Sequence, residues 1–349
     1  MIFAVPVVSP VLVGVTRLGG AMGEGISYSC WMRDIPDDSP LTALSIPGTH
    51  NSCSIDGPVG FAKTQDRGLS DQLDAGIRFL DIRLAHYQDN LCVHHDVVCM
   101  EKSYVEVLAA CSEFLEQHPS ETILLSVSQE ENSDSALGEF APSQVLCKLS
   151  PIEDPASPGE NTRSFEDSFR AKTWEHLKDA PLFYNFTAAA AEGQARPGSP
   201  AFTAETTLGD VRGKVVLLRR FEGGQDVGFD ASYWPENKRF RNSSAPFYHV
   251  EDRYLNPGGN KKFDFVIAHL EEAAHGDPAD LYITFSSAVG LTARGYAEKI
   301  NPRLSDYLEE SPRGRVGIIA MDYFEQPHEL VANVIKVNAN GAMPKRAEQ

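Results

Sequence analysis

Several short apolar runs in this chain each end in a group that can move a proton or hold an anion. Leu44-Ser45-Ile46-Pro47-Gly48-Thr49-His50-Asn51-Ser52 carries an imidazole, Phe79-Leu80-Asp81-Ile82-Arg83 ends in a guanidinium, and Leu91-Cys92-Val93-His94-His95 ends in two further imidazoles. An imidazole can take or give a proton near neutral pH. A guanidinium keeps its charge and presents a planar fork of donors that suits phosphate. One imidazole to accept the proton of an attacking hydroxyl, another to protonate the leaving alkoxide and a fixed cation at phosphorus make up the set required for cleaving a phosphodiester by an internal hydroxyl. That division of labour needs no metal.

Groups so far apart in the chain need a frame to bring them together. Leu44 to Ile46, Phe79 to Leu84, Leu91 to His94, Thr122 to Val127, Lys214 to Leu218, Leu281 to Phe285 and Val316 to Met321 read as strands, several of them continuously apolar. Leu69 to Gly76 reads as a helix with Leu69, Leu73 and Ile77 on one face. Tyr104 to Gln117 reads as another, stopped by Pro119, and His328 to Val337 as the last. Apolar strands alternating with helices predict a parallel sheet covered on both faces, closed as a single distorted TIM-type (β/α) barrel. In such a barrel the reactive groups sit where strands end and loops begin, at the carboxyl face. His50, Arg83, His95, Arg220 and Asp322 each lie at or just past the end of an apolar run, a sorting that scattered core histidines and surface arginines would not produce.

Further segments follow in order: Gly209 to Arg220 (GDVRGKVVLLRR), Tyr233-Trp234-Pro235-Glu236-Asn237, Val250-Glu251-Asp252-Arg253-Tyr254, Leu281 to Phe285, Lys299-Ile300-Asn301-Pro302 and Arg315 to Tyr323. With the three opening runs, this series resembles the catalytic half of phosphatidylinositol-specific phospholipase C in its bacterial and fungal single-domain form, from about Trp31 to about Asn338. The resemblance implies that a phosphatidylinositol or glycosylated phosphatidylinositol lipid is cut by its own inositol 2-hydroxyl. Diacylglycerol would leave, and inositol 1,2-cyclic phosphate would remain. His50 would be the general base, Asp322 its orienting carboxylate and Arg83 the phosphate contact. His95 would be the general acid, with Asp81 keeping it protonated. Strand alternation says only that His94 and His95 face opposite ways, so one of them is structural. For the headgroup the resemblance implies Arg220, Asp252 and Tyr254, with Glu130 a weaker candidate and Asn51 bonded to the arginine.

The chain also departs from the family pattern. Bacterial members carry Asp at the position of Asn51 and a lysine near Ser128. Animal members hold calcium with acidic groups, but here Arg83 stands where one calcium-ligand carboxylate would be, and Ser128 takes another. A cation there repels Ca²⁺, which needs six or more oxygens, so no metal and no cofactor are expected. The loop after Phe285 (SSAVGLTARG) lacks the tryptophans with which family members enter a bilayer. Phe61, Val289 and Leu291 are the apolar residues available instead. Two competing readings are a metal-dependent glycerophosphodiester phosphodiesterase and a non-catalytic inositol-lipid binding protein. The first would need converging carboxylates, and the second has no use for a base and acid pair.

A formal net charge of −18 excludes nucleic acid as partner and argues against tight adhesion to anionic membranes, leaving transient contact through apolar groups. No stretch offers the roughly 20 apolar residues of a membrane-spanning helix. Met1 to Val15 has no basic residue before Arg17 and is interrupted by Pro6 and Pro10, so a secretory signal is not expected. The location leans to the cytoplasm over secretion on that ground alone. Residues 1–27 are read as an irregular extension, 28–340 as the barrel and 341–349 as a loose tail, in a monomer. Gly138 to Ser164 and Glu192 to Thr207 read as poor in regular structure. The six cysteines form no C-x-x-C pair and are expected as scattered thiols, with a Cys92–Cys99 bridge the alternative. Asn185-Phe186-Thr187 and Asn242-Ser243-Ser244 fit the glycosylation pattern.

Overall fold

The computed structural model describes residues 28–55, 62–96, 98–130, 161–177, 182–186, 200–243, 247–290, 292–310 and 314–340. The expected extension at 1–27, the tail at 341–349, Phe61, Leu291 and most of the two structure-poor stretches lie outside them.

Strands and helices follow one another as β1 (Ile46–Thr49), α1 (Leu69–Asp74), β2 (Phe79–Tyr87), β3 (Asn90–His95), β4 (Val98–Ser103), α2 (Tyr104–Gln117), β5 (Ile123–Gln129), α3 (Phe165–Leu177), α4 (Leu208–Val211), β6 (Val215–Arg220), β7 (Phe229–Asp230), β8 (Arg239–Arg241), β9 (Tyr248–Glu251), α5 (Gly259–His275), β10 (Leu281–Phe285), α6 (Ala293–Glu310), β11 (Ile318–Met321) and α7 (Glu329–Asn340). The described strands form one sheet in the order β7-β6-β5-β2-β1-β11-β10-β9-β8. Its central strands are parallel, as a (β/α) barrel requires. Two departures correct the expectation of a purely parallel sheet. β3 pairs antiparallel with β2 and with β4, and β8 pairs antiparallel with β9. No described pairing joins β7 to β8, so the barrel is distorted and open on that side.

Side-chain alternation along each strand separates two apolar layers. Ile46, Phe79, Leu124, Val216, Leu218, Val250, Ile283, Phe285 and Ala320 fill the barrel. Leu80, Ile82, Leu125, Val127, Leu217, Ile319 and Met321 point the other way and pack under the helices. Helix α2 follows its predicted bounds because both ends are marked. Ser103 and Glu106 form a reciprocal capping box at its start, and its buried face runs through Val107, Leu108, Cys111, Phe114 and Leu115. Strand β1 starts two residues later and ends three later than the expected Leu44 to Ile46, since Leu41–Ala43 turns as a short 3₁₀ segment first. Gly48 sits against Phe79 so closely that a Cβ would come within 2.7 Å of the phenylalanine side chain, which explains glycine there.

No helix among the described residues is long and apolar enough to cross a membrane. Asn185 and Asn242, the asparagines of the two glycosylation patterns, are buried and occupied. Asn185 bridges both backbone groups of Leu217, and Asn242 accepts from the Tyr248 amide. Cys99 is disulfide-bonded, so the expectation of thiols throughout fails there. Cys92, packed beside it, is a free thiol, and the Cys92–Cys99 bridge is not the one formed.

Candidate active site

The same alternation that fills the barrel also aims the site. Arg83 has the parity of Phe79, Arg220 that of Val216 and Leu218, Asp252 that of Val250 and Asp322 that of Ala320. All four therefore face the barrel axis at the carboxyl ends of their strands. His50 follows β1, with its amide bonded to the Met321 carbonyl (2.9 Å). Thr49 pairs with Met321 in the parallel register, so the residues just beyond, His50 and Asp322, come side by side.

His50 Nδ1 lies 2.8 Å from Asp322 Oδ1, and Arg83 Nη2 lies 3.2 Å from His50 Nε2. A guanidinium can only donate, so Nε2 carries the lone pair and Nδ1 carries the proton that goes to Asp322. The ring is thereby held as a base, oriented from one side by a carboxylate. The edge of Phe285 packs against it, with ring centroids 5.9 Å apart.

The His95 ring stands nearly perpendicular to that of His50, with centroids 6.2 Å apart. Of the paired histidines it is thus His95 that meets the base. Its Nδ1 donates to the Ala62 carbonyl (2.6 Å), which leaves Nε2 for a substrate. Burial, followed by the neighbouring His50 and the Arg83 guanidinium, pulls its pKa down to about 4.

Asp81 corrects the expectation that it keeps His95 protonated. It is fully buried, and both of its oxygens serve cations: Oδ1 takes Arg220 Nη1 (3.1 Å) and Oδ2 faces Arg83 Nε (3.7 Å). Burial pushes its carboxyl up, but the two guanidiniums outweigh that and hold it below the ordinary range. Register explains the arrangement. Arg83, Ser128 and Arg220 occupy one rung across β2, β5 and β6, and the small serine lets the arginines stand on either side of it.

Glu130 contacts Arg83 Nη1 at 3.3 Å, and burial raises its carboxyl. Asn51 is a second correction. Its side-chain oxygen and nitrogen are buried without any partner, so the expected bond to the arginine is not made. Its left-handed backbone (φ 43°) instead turns the main-chain amide toward Asp81 Oδ2 (3.1 Å). Asp252 and Tyr254 follow β9 on the same rim. Burial raises the Tyr254 phenol, and Glu236, Asp252, Arg83 and Glu130 are the charges acting on it.

Trp234 was visible in the sequence within the Tyr233–Asn237 segment that carries the family resemblance, but not as a site residue. Its ring lies 3.8 Å beneath the Arg220 guanidinium, and its indole N–H donates to Asp252 Oδ2 (3.0 Å). One side chain thus holds two of the groups expected to bind the headgroup. Ala62 was also missed, because a carbonyl acceptor leaves no mark in side-chain types.

Residues 38–139 match the family model described as phosphatidylinositol-specific phospholipase C, X domain. The 1-phosphatidylinositol phosphodiesterase of Listeria monocytogenes is 28% identical over 327 residues, which cover 90% of this chain and 86% of that protein. A crystal structure of phosphatidylinositol-specific phospholipase C from Staphylococcus aureus superposes with a TM-score of 0.72 at 25% identity, covering 89% of this chain and 97% of that one. The Listeria enzyme's structure gives 0.61 at 26% identity, covering 89% and 98%.

Proposed function

We propose, for a chain that belongs to the phosphatidylinositol-specific phospholipase C family, that it cleaves phosphatidylinositol through the inositol 2-hydroxyl without calcium. The products are diacylglycerol and inositol 1,2-cyclic phosphate. The observation that carries this reading is the meeting of two imidazoles, His50 and His95, with the Arg83 guanidinium donating to the first.

His50 Nε2 accepts the hydroxyl proton, and the Asp322 carboxylate steadies the imidazolium that results. Arg83 contacts a non-bridging phosphate oxygen as charge builds on the phosphorane. His95 Nε2 delivers a proton to the glycerol oxygen. In the free enzyme that nitrogen is neutral at pH 7, since burial and the Arg83 guanidinium oppose its charge. A bound phosphodiester anion between the rings offsets that cation and raises the basicity of Nε2, so that His95 gains its proton where substrate is present. Arg220, Asp252 and Tyr254 take the inositol hydroxyls. Calcium independence is supported by Asp81, whose two oxygens already face guanidiniums, and by the Arg83 cation itself, which repels Ca²⁺.

The test is phosphorus NMR of phosphatidylinositol incubated with the protein in EDTA. A cyclic-phosphodiester resonance is expected. Product only after adding Mg²⁺ or Ca²⁺ would favour a metal-dependent glycerophosphodiester phosphodiesterase, and no product under either condition a binding protein. His50→Ala is expected to lower turnover by about a thousandfold or more, and an unchanged rate would overturn the choice of base.

A further inference from the structure

Five consecutive residues after β1 bond to the ring of His95, to the backbone of His50 and Asn51 and to the end of β11. The Ala62 carbonyl accepts from His95 Nδ1 (2.6 Å), and the Lys63 carbonyl accepts from the Tyr323 hydroxyl (2.8 Å). Thr64 Oγ1 donates to the His50 and Asn51 carbonyls (3.3 and 3.1 Å), while its own carbonyl accepts from the Tyr323 amide (2.9 Å). Gln65, fully buried, donates through Nε2 to the carbonyls of both His50 (2.9 Å) and Met321 (2.8 Å). Asp66 receives Arg294 Nη2 on both oxygens (2.8 and 2.7 Å) and Lys63 Nζ on one (3.0 Å).

Tyr323 is the centre of this arrangement. It directly follows Asp322, the partner of His50, in a left-handed conformation (φ 46°) that a tyrosine adopts only when its surroundings hold it there. The Arg294 guanidinium stacks 3.9 Å over its ring. Burial pushes the Asp66 carboxyl up, but Arg294 and Lys63 together hold it down; the neighbouring Glu325 carboxyl is raised by burial. The bonds within this cluster therefore run from α6 and the β11 end through one short segment to the ring of His95.

We propose that the Ala62–Asp66 segment is a strap that sets the spacing of the two imidazoles, and that Tyr323 and Arg294, which clamp it, are positioning residues for the general acid. This rests on the reaction proposed above. Both residues act at a distance: neither has a described bond to His95, and their effect passes through the Ala62 carbonyl. A misplaced acid slows only the step in which it acts, and this separates positioning from general structural support.

The experiment compares two water-soluble inositol phosphodiesters, one with an alkyl alcohol as leaving group and one with nitrophenol, which departs without a proton. Tyr323→Phe removes a single hydroxyl from the strap. It is expected to lower kcat on the alkyl ester about tenfold with KM unchanged, and to leave the nitrophenyl ester within about twofold. In the wild-type protein the His95 Nδ1 proton bonded to the Ala62 carbonyl is expected as a downfield proton resonance, absent from His95→Ala and shifted in Tyr323→Phe. Equal losses on both esters, or none on either, overturn the proposal. If Tyr323→Phe does not fold, Arg294→Gln carries the same comparison. Wild-type protein inactive on both esters would sink the proposed reaction instead, and an unmoved downfield resonance in the variants would sink the strap independently of activity.

Discussion

Trp234 joins two groups that the barrel delivers from different strands, Arg220 from β6 and Asp252 from just beyond β9. Arg220, mostly covered, shares Asp81 with Arg83, so its direction is set by the carboxylate on one side and the indole face on the other. Trp234→Phe keeps an aromatic face under Arg220 but removes the donor to Asp252, leaving a buried carboxylate one hydrogen bond short. A hydrogen bond to a charged group contributes about 1.5–3 kcal/mol, so KM for a soluble inositol substrate is expected to rise about tenfold or more, with kcat nearly unchanged. Steady-state kinetics checks this, and a loss confined to kcat would mean that Trp234 serves the chemistry instead of the headgroup. Asp322→Asn removes the acceptor that fixes the His50 tautomer and is expected to cost about a hundredfold or more in kcat. Measured binding of a non-hydrolysable inositol phosphonate should be unaffected.

Helix α5 carries a buried titratable group that the chemistry does not use. His269 is fully buried against β10, with Nδ1 2.8 Å from Thr284 Oγ1 and Nε2 without a partner. Burial, followed by the positive charges of Arg239, His249, Lys262 and Arg253, lowers its pKa to about 3. The folded value lies below the unfolded one near 6.5, so the unfolded chain takes up this proton first as the medium is acidified. Stability is therefore lost as pH falls from about 6.5 toward 3, by about 1.4 kcal/mol per pH unit. His269→Gln keeps a polar partner for Thr284 and does not titrate. Urea unfolding at pH 7 and pH 5 is expected to show a drop smaller by about 2 kcal/mol in the variant than in the wild type. Helix α6 adds a different contribution: Asn301, preceding Pro302, donates to the carbonyls of Asp322 and Tyr323 and holds the end of β11 from behind.

To carry out the proposed reaction the molecule meets a lipid surface with a formal charge of −18. Leu255 and Val289 are 64% and 39% exposed, and their loops are joined by the Val289 amide on the Tyr254 carbonyl (3.0 Å) and the Asn256 amide on the Val289 carbonyl (3.0 Å). These exposed apolar side chains stand beside Tyr254 on the site's rim. Of the rim residues named from sequence, Val289 is thus exposed where expected, and Leu255 was not foreseen. Burying an exposed leucine or valine contributes about 1.5–3 kcal/mol. The double variant Leu255→Ser/Val289→Ser is expected to lose about tenfold or more of its activity on phosphatidylinositol vesicles and little on a soluble substrate. The net charge repels an anionic surface over a Debye length of about 10 Å at 0.1 M salt. Raising salt from low to physiological strength is expected to increase vesicle activity, whereas a decrease would point to cationic attachment.

Local pattern was enough to name the chemistry and the frame. Continuous apolar runs alternating with helical patterns marked the strands, and the reactive groups lay at or just past the ends of those runs. His50, Arg83, Arg220 and Asp322 were therefore legible as groups at one face of a barrel. The continuous apolar character of Leu281–Phe285 and the two-ended signals of Tyr104–Gln117 gave those elements their bounds. Partnership was not legible, because it depends on register between strands far apart in the chain. The rung Arg83-Ser128-Arg220 commits both Asp81 oxygens to guanidiniums, so that its pull on the His95 proton is outweighed by burial. The choice between His94 and His95 fell to the folded chain as well, since only there does one ring meet His50. Backbone acceptors such as the Ala62 carbonyl belong to every residue alike, and only the path of the chain decides which of them faces an imidazole.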